Sequence, residues 1–348
     1  MYQHKSGLAL QKRLSRHGTT VMLGAIFLFF SVLLYLSICM SSCNEGVHPN
    51  AHAHHEKSSD DDDDKLLWKP ADHQFQHTCF IAVLVLTTPK AFEKRDVIRQ
   101  TWLSTHSKDK ICVFFSLGTQ SLSVEEKQTL EYENSNNKDL LLLKNLTDSY
   151  NKLTEKVLKS FIWIDHNVKY TYLLKVDDDS YARMDVIAQE LQKKPTRRLY
   201  WGFFDGRARV KKKGKWEEKQ WFLSEHYLPH ALGGGYVLSG DLVHYLAQSE
   251  PYLQHYNSED VSVGVWLAGL DLHRIHDPRF DTEFKSRGCH NSYIVTHKQS
   301  PADMKRLHRN LKENGKLCSS EFRTRNSYEY NWNVNPALCC IRNDTSVP

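Results

Sequence analysis

Ten residues beginning at Cys79, CFIAVLVLTT, carry no charge and stop at Pro89. A strand with one wet face alternates apolar and polar side chains. An unbroken apolar run belongs to a strand covered on both faces, as in a parallel sheet packed between helices. The pattern recurs in ICVFFSLGT from Ile111, in LLLLK from Leu140, and in YLLKV from Tyr172 to Val176. Between these runs lie a basic, helix-like stretch from Phe92 to Leu103 and a polar one from Glu125 to Asn134. Leu153, Val157, Phe161 and Ile164 then recur at helical spacing, with Asp148 placed to cap that helix. Strands alternating with helices predict an α/β fold on a mixed, largely parallel sheet flanked by helices. A hydrophobic share of 40% and a charged share of 25% exclude wholesale disorder. The net charge of +5 neither demands nor excludes an acidic partner.

The N-terminal part reads differently. Val21 to Met40, VMLGAIFLFFSVLLYLSICM, has no charge and is long enough to span a bilayer as a helix. Lys5, Lys12, Arg13 and Arg16 precede it, and no comparable basic cluster follows. The expectation is a signal-anchor with a cytosolic tail over 1–20, a transmembrane helix over 21–40 and type II topology. A cleaved signal peptide is the alternative, although no small-residue cleavage site is obvious before Cys43. Residues 41–78, with His48, His52, His54, His55 and an acidic run from Asp60 to Asp64, read as a solvated stem, and 79–348 as the globular domain. Six cysteines beyond the apolar segment (Cys79, Cys112, Cys289, Cys318, Cys339 and Cys340) suit three disulfides in an oxidising lumen, with buried free thiols as the alternative. No C-x-x-C spacing of a structural zinc site is present. Sequons at Asn145 and Asn343 agree with a luminal domain.

Asp177, Asp178 and Asp179 follow directly on the YLLKV strand. Ligands of open α/β sheets bind beyond the carboxyl ends of the strands. Alternate side chains of an extended segment point the same way, so Asp177 and Asp179 can converge on a hard divalent cation. An acidic turn without a metal is the plainer possibility. Asp260, in Ser258-Glu259-Asp260 ahead of the apolar VSVGVWLAGL, sits in a helical first turn. Local pattern alone favours ordinary capping there over general-base duty. Gly233-Gly234-Gly235 suggests close approach of backbone to a ligand or another segment, or a flexible turn. RARVKKKGK, Arg207 to Lys215, is flanked by Trp201, Phe203, Phe204, Trp216 and Trp221, and reads as a basic solvated hairpin or a surface for an acidic glycan. There is no G-x-G-x-x-G or P-loop motif, and a luminal domain disfavours nucleic acid.

RDVIRQTW from Arg95, LLKVDDDSYAR, LGGGYVLS, SEDVSVG and YIVTHKQS, in this order across nearly the whole of 79–348, resemble the inverting β-1,3-glycosyltransferases of family 31. RRLYWGFFDGRARVK, HDPRFDTE and the Cys339-Cys340 pair narrow the resemblance to the galactosyltransferases of the proteoglycan linkage region. The resemblance implies a GT-A fold in a Golgi membrane protein. It implies Mn2+ on Asp177, Asp179 and His297, with Asp260 as catalytic base, which reverses the local preference for capping. Asp178, Arg95, Arg99 and Trp102 are implied on the donor side, with Arg99 either structural or facing the nucleotide. Trp201, Gly234, Gly235 and Glu259 complete the expected set as lining of the donor and acceptor pocket. The implied partners are UDP-galactose and a galactosyl-xylosyl acceptor on proteoglycan core proteins. A sibling enzyme with an N-acetylhexosamine donor, or a non-catalytic chaperone or glycan-binding relative, is the alternative.

Overall fold

A computed structural model describes Ser31 and residues 75–104, 110–343 and 346–348. The expected cytosolic tail, membrane segment and most of the stem lie outside these residues. Among the described residues no helix is long and apolar enough to cross a membrane.

Seven strands make the main sheet: β1 (Ile81–Leu86), β2 (Ile111–Gly118), β3 (Leu140–Leu143), β4 (Tyr172–Asp177), β5 (Leu199–Asp205), β6 (His230–Ser239) and β7 (His273–His276). Their spatial order is β7-β5-β6-β4-β1-β2-β3. Four pairings are parallel, β1 with β2 and with β4, β2 with β3, and β5 with β7; β6 runs antiparallel to β4 and β5. All six residues of β1 are buried, as the unbroken apolar run requires. Helices α1 (Phe92–Gln100), α2 (Val124–Asn137), α3 (Leu153–Asn167), α4 (Met184–Leu191), α5 (Gly240–Gln248), α6 (Glu259–Trp266) and α7 (Pro301–Asn314) surround it. Val157, Phe161 and Ile164, on one face of α3, are fully buried. Each such large aliphatic or aromatic side chain contributes about 1.5–3 kcal/mol on burial.

Asp148 does not cap α3. A 3-10 turn, Tyr150–Lys152, precedes that helix, and neither N-cap residue makes a side-chain cap bond. The Asp148 carboxylate instead accepts from Gly118 N at 2.9 Å and pairs with buried Lys156 Nζ at 2.8 Å. The backbone pairing also begins ahead of Cys79, since His77–Thr78 pairs in parallel with Val168–Lys169. The six cysteines form Cys79–Cys112, Cys289–Cys318 and the vicinal Cys339–Cys340. Cys79 precedes β1 and Cys112 lies in β2, so the first bridge staples neighbouring strands.

Candidate active site

β4 ends at Asp177, and the turn behind it leads into a short pairing that assembles the site. Tyr181–Ala182 runs antiparallel to Val295–Thr296, which runs parallel to Phe280–Asp281. This small sheet carries His297 to the end of β4, where Gln299 N also donates to Asp179 O at 2.8 Å. His297 Nε2 lies 2.9 Å from Asp179 Oδ1 and 3.4 Å from Asp177 Oδ2. The ligand atoms of the three residues all fall within 4.8 Å of one another. Asp178 points elsewhere, as strand alternation predicts. It accepts from Thr87 Oγ1 at 2.9 Å and from Lys94 Nζ, on α1, at 2.7 Å.

Burial works against charge on Asp177 and Asp179. Lys175 and His297 nevertheless hold Asp177 below the usual carboxylate range, and His297 does the same for Asp179. Burial likewise opposes the His297 imidazolium, yet the two aspartates push its pKa up to about 9. Two carboxylate oxygens and an imidazole converging in this way fit a divalent ion of the manganese type, which takes both donor kinds. Lys298 Nζ stands 3.1 Å from Asp179 Oδ2 and 3.0 Å from His297 Nε2, so a cationic group is already drawn to this pole. Asp205, Cys339 and Cys340 also converge, but both sulfurs are in the disulfide and offer no thiolate.

Lys175, unremarked in the sequence, joins this cluster to the second acidic pair. It is fully buried in β4, and its Nζ donates to Asp177 Oδ1 at 2.9 Å, to Gly233 O at 2.6 Å, and to Glu259 Oε1. Its pKa is raised against the burial penalty by Asp177 and Glu259. Glu259 also accepts from Tyr236 at 3.1 Å, so its carboxylate is committed to the interior and does not face a pocket. Asp260, half-buried in the first turn of α6, accepts from Gly233 N at 2.9 Å and from Val261 N at 2.8 Å. Ser258, in the N-cap position, makes no side-chain cap bond. The backbone of Gly233 thus holds Asp260 on its N–H and Lys175 on its carbonyl.

The glycines lie inside β6, which excludes the flexible turn. A Cβ on Gly234 would sit 2.6 Å from His297 Nδ1, and one on Gly233 would sit 2.8 Å from Glu259 Oε1. Close approach is therefore the reason for glycine here, and what approaches is the site itself.

Four other expected residues are placed differently. Trp201 is fully buried, with Nε1 donating to Asp277 at 3.0 Å and its ring edge-on to Phe280. It belongs to the core and lines no pocket. Arg95 is 1% exposed and gives its guanidinium to Glu133 at 2.6 and 2.8 Å and to the Thr88 and Pro89 carbonyls. Arg99 bonds Glu133 and Asp139, each at 2.8 Å. Both arginines tie α1 to the α2 region, which resolves Arg99 as structural and removes Arg95 from donor contact. Trp102 is buried in the hydrophobic core at 2% exposure. Residues that do face this end of the sheet, and that local pattern did not single out, are Lys94, Lys298 and Tyr150. Burial, and then the charge of Asp260, push the Tyr150 hydroxyl up to about 12. Asn145 and Asn343 are both exposed.

The galactosyltransferase family matches residues 93–278 of the chain. Beta-1,3-galactosyltransferase 6 of Mus musculus is 45% identical over 339 residues, 96% of this chain and 98% of that one. UDP-GalNAc:beta-1,3-N-acetylgalactosaminyltransferase 2 of Xenopus laevis is 30% identical over 206 residues, covering 58% of this chain and 41% of that one. Among solved structures, galactosyltransferase LgtC with donor and acceptor sugar analogs overlays with a TM-score of 0.34 and 11% identity, over 67% of this chain and 92% of that one.

Proposed function

Because the chain belongs to the galactosyltransferase family and is a glycosyltransferase, we propose that it transfers galactose from UDP-galactose to the 3-hydroxyl of an acceptor galactose, with inversion. The observation that carries the reading is the convergence of Asp177, Asp179 and His297 at the end of β4, joined through Lys175 and Gly233 to Asp260. The strand order, with one antiparallel strand between two parallel groups, supports assignment to the GT-A type.

In this reading Asp177, Asp179 and His297 hold Mn2+. A bound divalent ion supplies Lewis-acid charge opposite the diphosphate of the departing nucleotide. Asp178, turned toward α1 with Lys94, is available to the nucleoside side of the donor. Asp260 takes the proton of the acceptor hydroxyl. The oxygen attacks the anomeric carbon from the face opposite UDP, a C–O bond forms as the bond to UDP breaks, and the linkage emerges β. Lys175 keeps Asp177 ionised and fixes Gly233, and Gly233 orients the base. Positioning of this kind, together with general-base catalysis, supplies much of a glycosyl transferase's rate.

The 45% identity to a mouse protein named as a β-1,3-galactosyltransferase favours galactose over an N-acetylhexosamine donor. The acceptor is the galactose of a galactosyl-xylosyl-serine core, the cellular setting is the Golgi lumen, and Val21–Met40 is the type II anchor. The exposed lysines at 211–213 favour acceptors on acidic core proteins. The experiment is transfer by the full chain to galactosyl-β-1,4-xyloside from a panel of UDP-sugars with manganese. Galactose alone should transfer, and EDTA and Asp260→Asn should each abolish it. Transfer of another sugar would reassign the donor. Failure of the folded chain to release UDP from any donor in the panel would reject the enzymatic reading of this site.

A further inference from the structure

The loop that carries the basic run is not free. Val210 N bonds Glu225 O at 3.1 Å and Tyr227 N bonds Ala208 O at 2.9 Å, closing it as a hairpin. Asn257 then pins it beside the base: Nδ2 donates to the carbonyls of Lys215 and Glu217 at 3.2 Å, and its N–H donates to Glu218 Oε2 at 2.6 Å. Asn257 lies three positions before Asp260 in the chain. The tip of the loop therefore stands where α6 begins.

At that tip Lys215 Nζ lies 4.1 Å from the centre of the Tyr150 ring and 5.7 Å from that of Trp216. A lysine shared by two rings fixes their mutual orientation. Both residues are exposed, Tyr150 at 39% and Trp216 at 41%. Two solvent-facing aromatic rings, clamped by a cation and anchored to the helix that bears the base, are poorly explained by packing. Their apolar faces match the C–H face of a pyranose, while the polar edges nearby match its hydroxyls.

We propose that Tyr150 and Trp216, clamped by Lys215, form the platform on which the acceptor galactose lies while its 3-hydroxyl meets Asp260. The platform belongs to the acceptor and not to the donor, because the loop is tied to the Asp260 end of α6, whereas the cation pole is built from β4 and the His297 segment. This rests on the acceptor reading above and adds the residues that select it. Trp216 and Tyr150 act as acceptor-specificity residues, with Lys215 holding them in place, and the apolar ring faces disfavour acceptors that carry an axial substituent on the stacked face.

The test uses the full chain in detergent. Saturation-transfer NMR with methyl β-galactoside reads binding without turnover, and initial rates with galactosyl-β-1,4-xyloside at saturating UDP-galactose read acceptor KM. Trp216→Ala should weaken the NMR signal and raise acceptor KM about ten-fold, the scale of one lost stacking contact, with donor KM and melting temperature unchanged. Trp216→Phe should recover most of the loss, and Lys215→Met should fall between. An acceptor KM for Trp216→Ala within about two-fold of wild type overturns the platform, as does a rise confined to donor KM. A wild-type chain that binds methyl β-galactoside through Trp216 yet transfers no galactose to it would sink the functional reading and leave the platform standing.

Discussion

Gly234→Ala is the sharpest single test of how the site is built. The added Cβ would lie 2.6 Å from His297 Nδ1, 2.7 Å from Cγ and 2.9 Å from Cβ. Carbon atoms prefer about 3.5–4.0 Å, so the ring must retreat by roughly 1 Å. It has little room to do so. Nδ1 is 3.2 Å from the Glu283 carbonyl on one side, and Nε2 faces Asp177 and Asp179 on the other. Overpacking of this kind costs about 1–3 kcal/mol, equivalent to a fall in Tm of a few degrees. The larger effect is positional, since a shift of about 1 Å in a site group costs on the order of 100-fold in rate. Manganese affinity by EPR titration, thermal melting, and kcat should therefore all be measured on the same preparation. A folded Gly234→Ala protein should bind manganese at least about ten-fold more weakly and lose about 100-fold in kcat. Wild-type affinity together with wild-type kcat would refute the placement of His297 against β6.

Lys175→Met should lower stability by about 3–5 kcal/mol in urea, because it strands the buried Glu259 and the Asp177 carboxylate; a loss below about 1 kcal/mol would show that neither depends on the lysine. Arg95→Met should destabilise through the abandoned Glu133 while leaving donor KM within about two-fold in whatever folded fraction survives, and a selective rise in donor KM would return Arg95 to the donor side. With His297 raised to about 9 by its two aspartates, metal must displace a proton. Manganese affinity should climb about ten-fold per pH unit between roughly pH 7 and 8.5, and calorimetry in buffers of differing ionisation enthalpy should find close to one proton released. In the metal-free protein the same raised value means that the His297 contribution to stability is fully present below about pH 6.5 and fades as pH rises through about 9. A flat metal affinity over that interval would show that the imidazole is already neutral.

What the sequence disclosed depended on range. β1, β2, β3 and β4 were legible because a strand buried on both faces leaves an uninterrupted apolar run, and the projection of Asp177 and Asp179 away from Asp178 follows from strand alternation alone. The partners of those residues were not legible, because they are fixed by pairing at a distance. His297 reaches Asp179 only through the pairing of Val295–Thr296 with Tyr181–Ala182, two residues on each side, too short to leave a pattern. Lys175 occupied an apolar run as an apparent interruption, and only the arrival of Glu259 and Gly233 turns it into the hub of the site. Resemblance named His297 and Asp260, which the fold brings to this end of the sheet, and it also put Arg95 on the donor side and Trp201 in the pocket lining, where the fold buries both, because a shared motif records that a residue is required without recording whether it is required for packing or for contact.

That distinction sharpens the reading of Asp260. Capping and catalysis made the same local sequence prediction, a carboxylate in a helical first turn. They differ in where the remaining lone pairs go. A capping Ser258 would close the α6 terminus and leave Asp260 incidental; instead Ser258 makes no such bond, and Asp260 accepts from its own helix at Val261 N and across to Gly233 N. Gly233 N and Val261 N donate to different oxygens of Asp260, so asparagine, whose amide nitrogen only donates, keeps one of the two bonds through its carbonyl; Asp260→Asn therefore costs about 1 kcal/mol while removing the capacity to take a proton. The variant should melt within about 2 °C of wild type and lose about 100- to 10,000-fold in kcat with little change in acceptor KM. A variant that instead melts several degrees lower, with kcat largely intact in the folded fraction, would return Asp260 to the role of a structural cap and require another base on this face of the sheet.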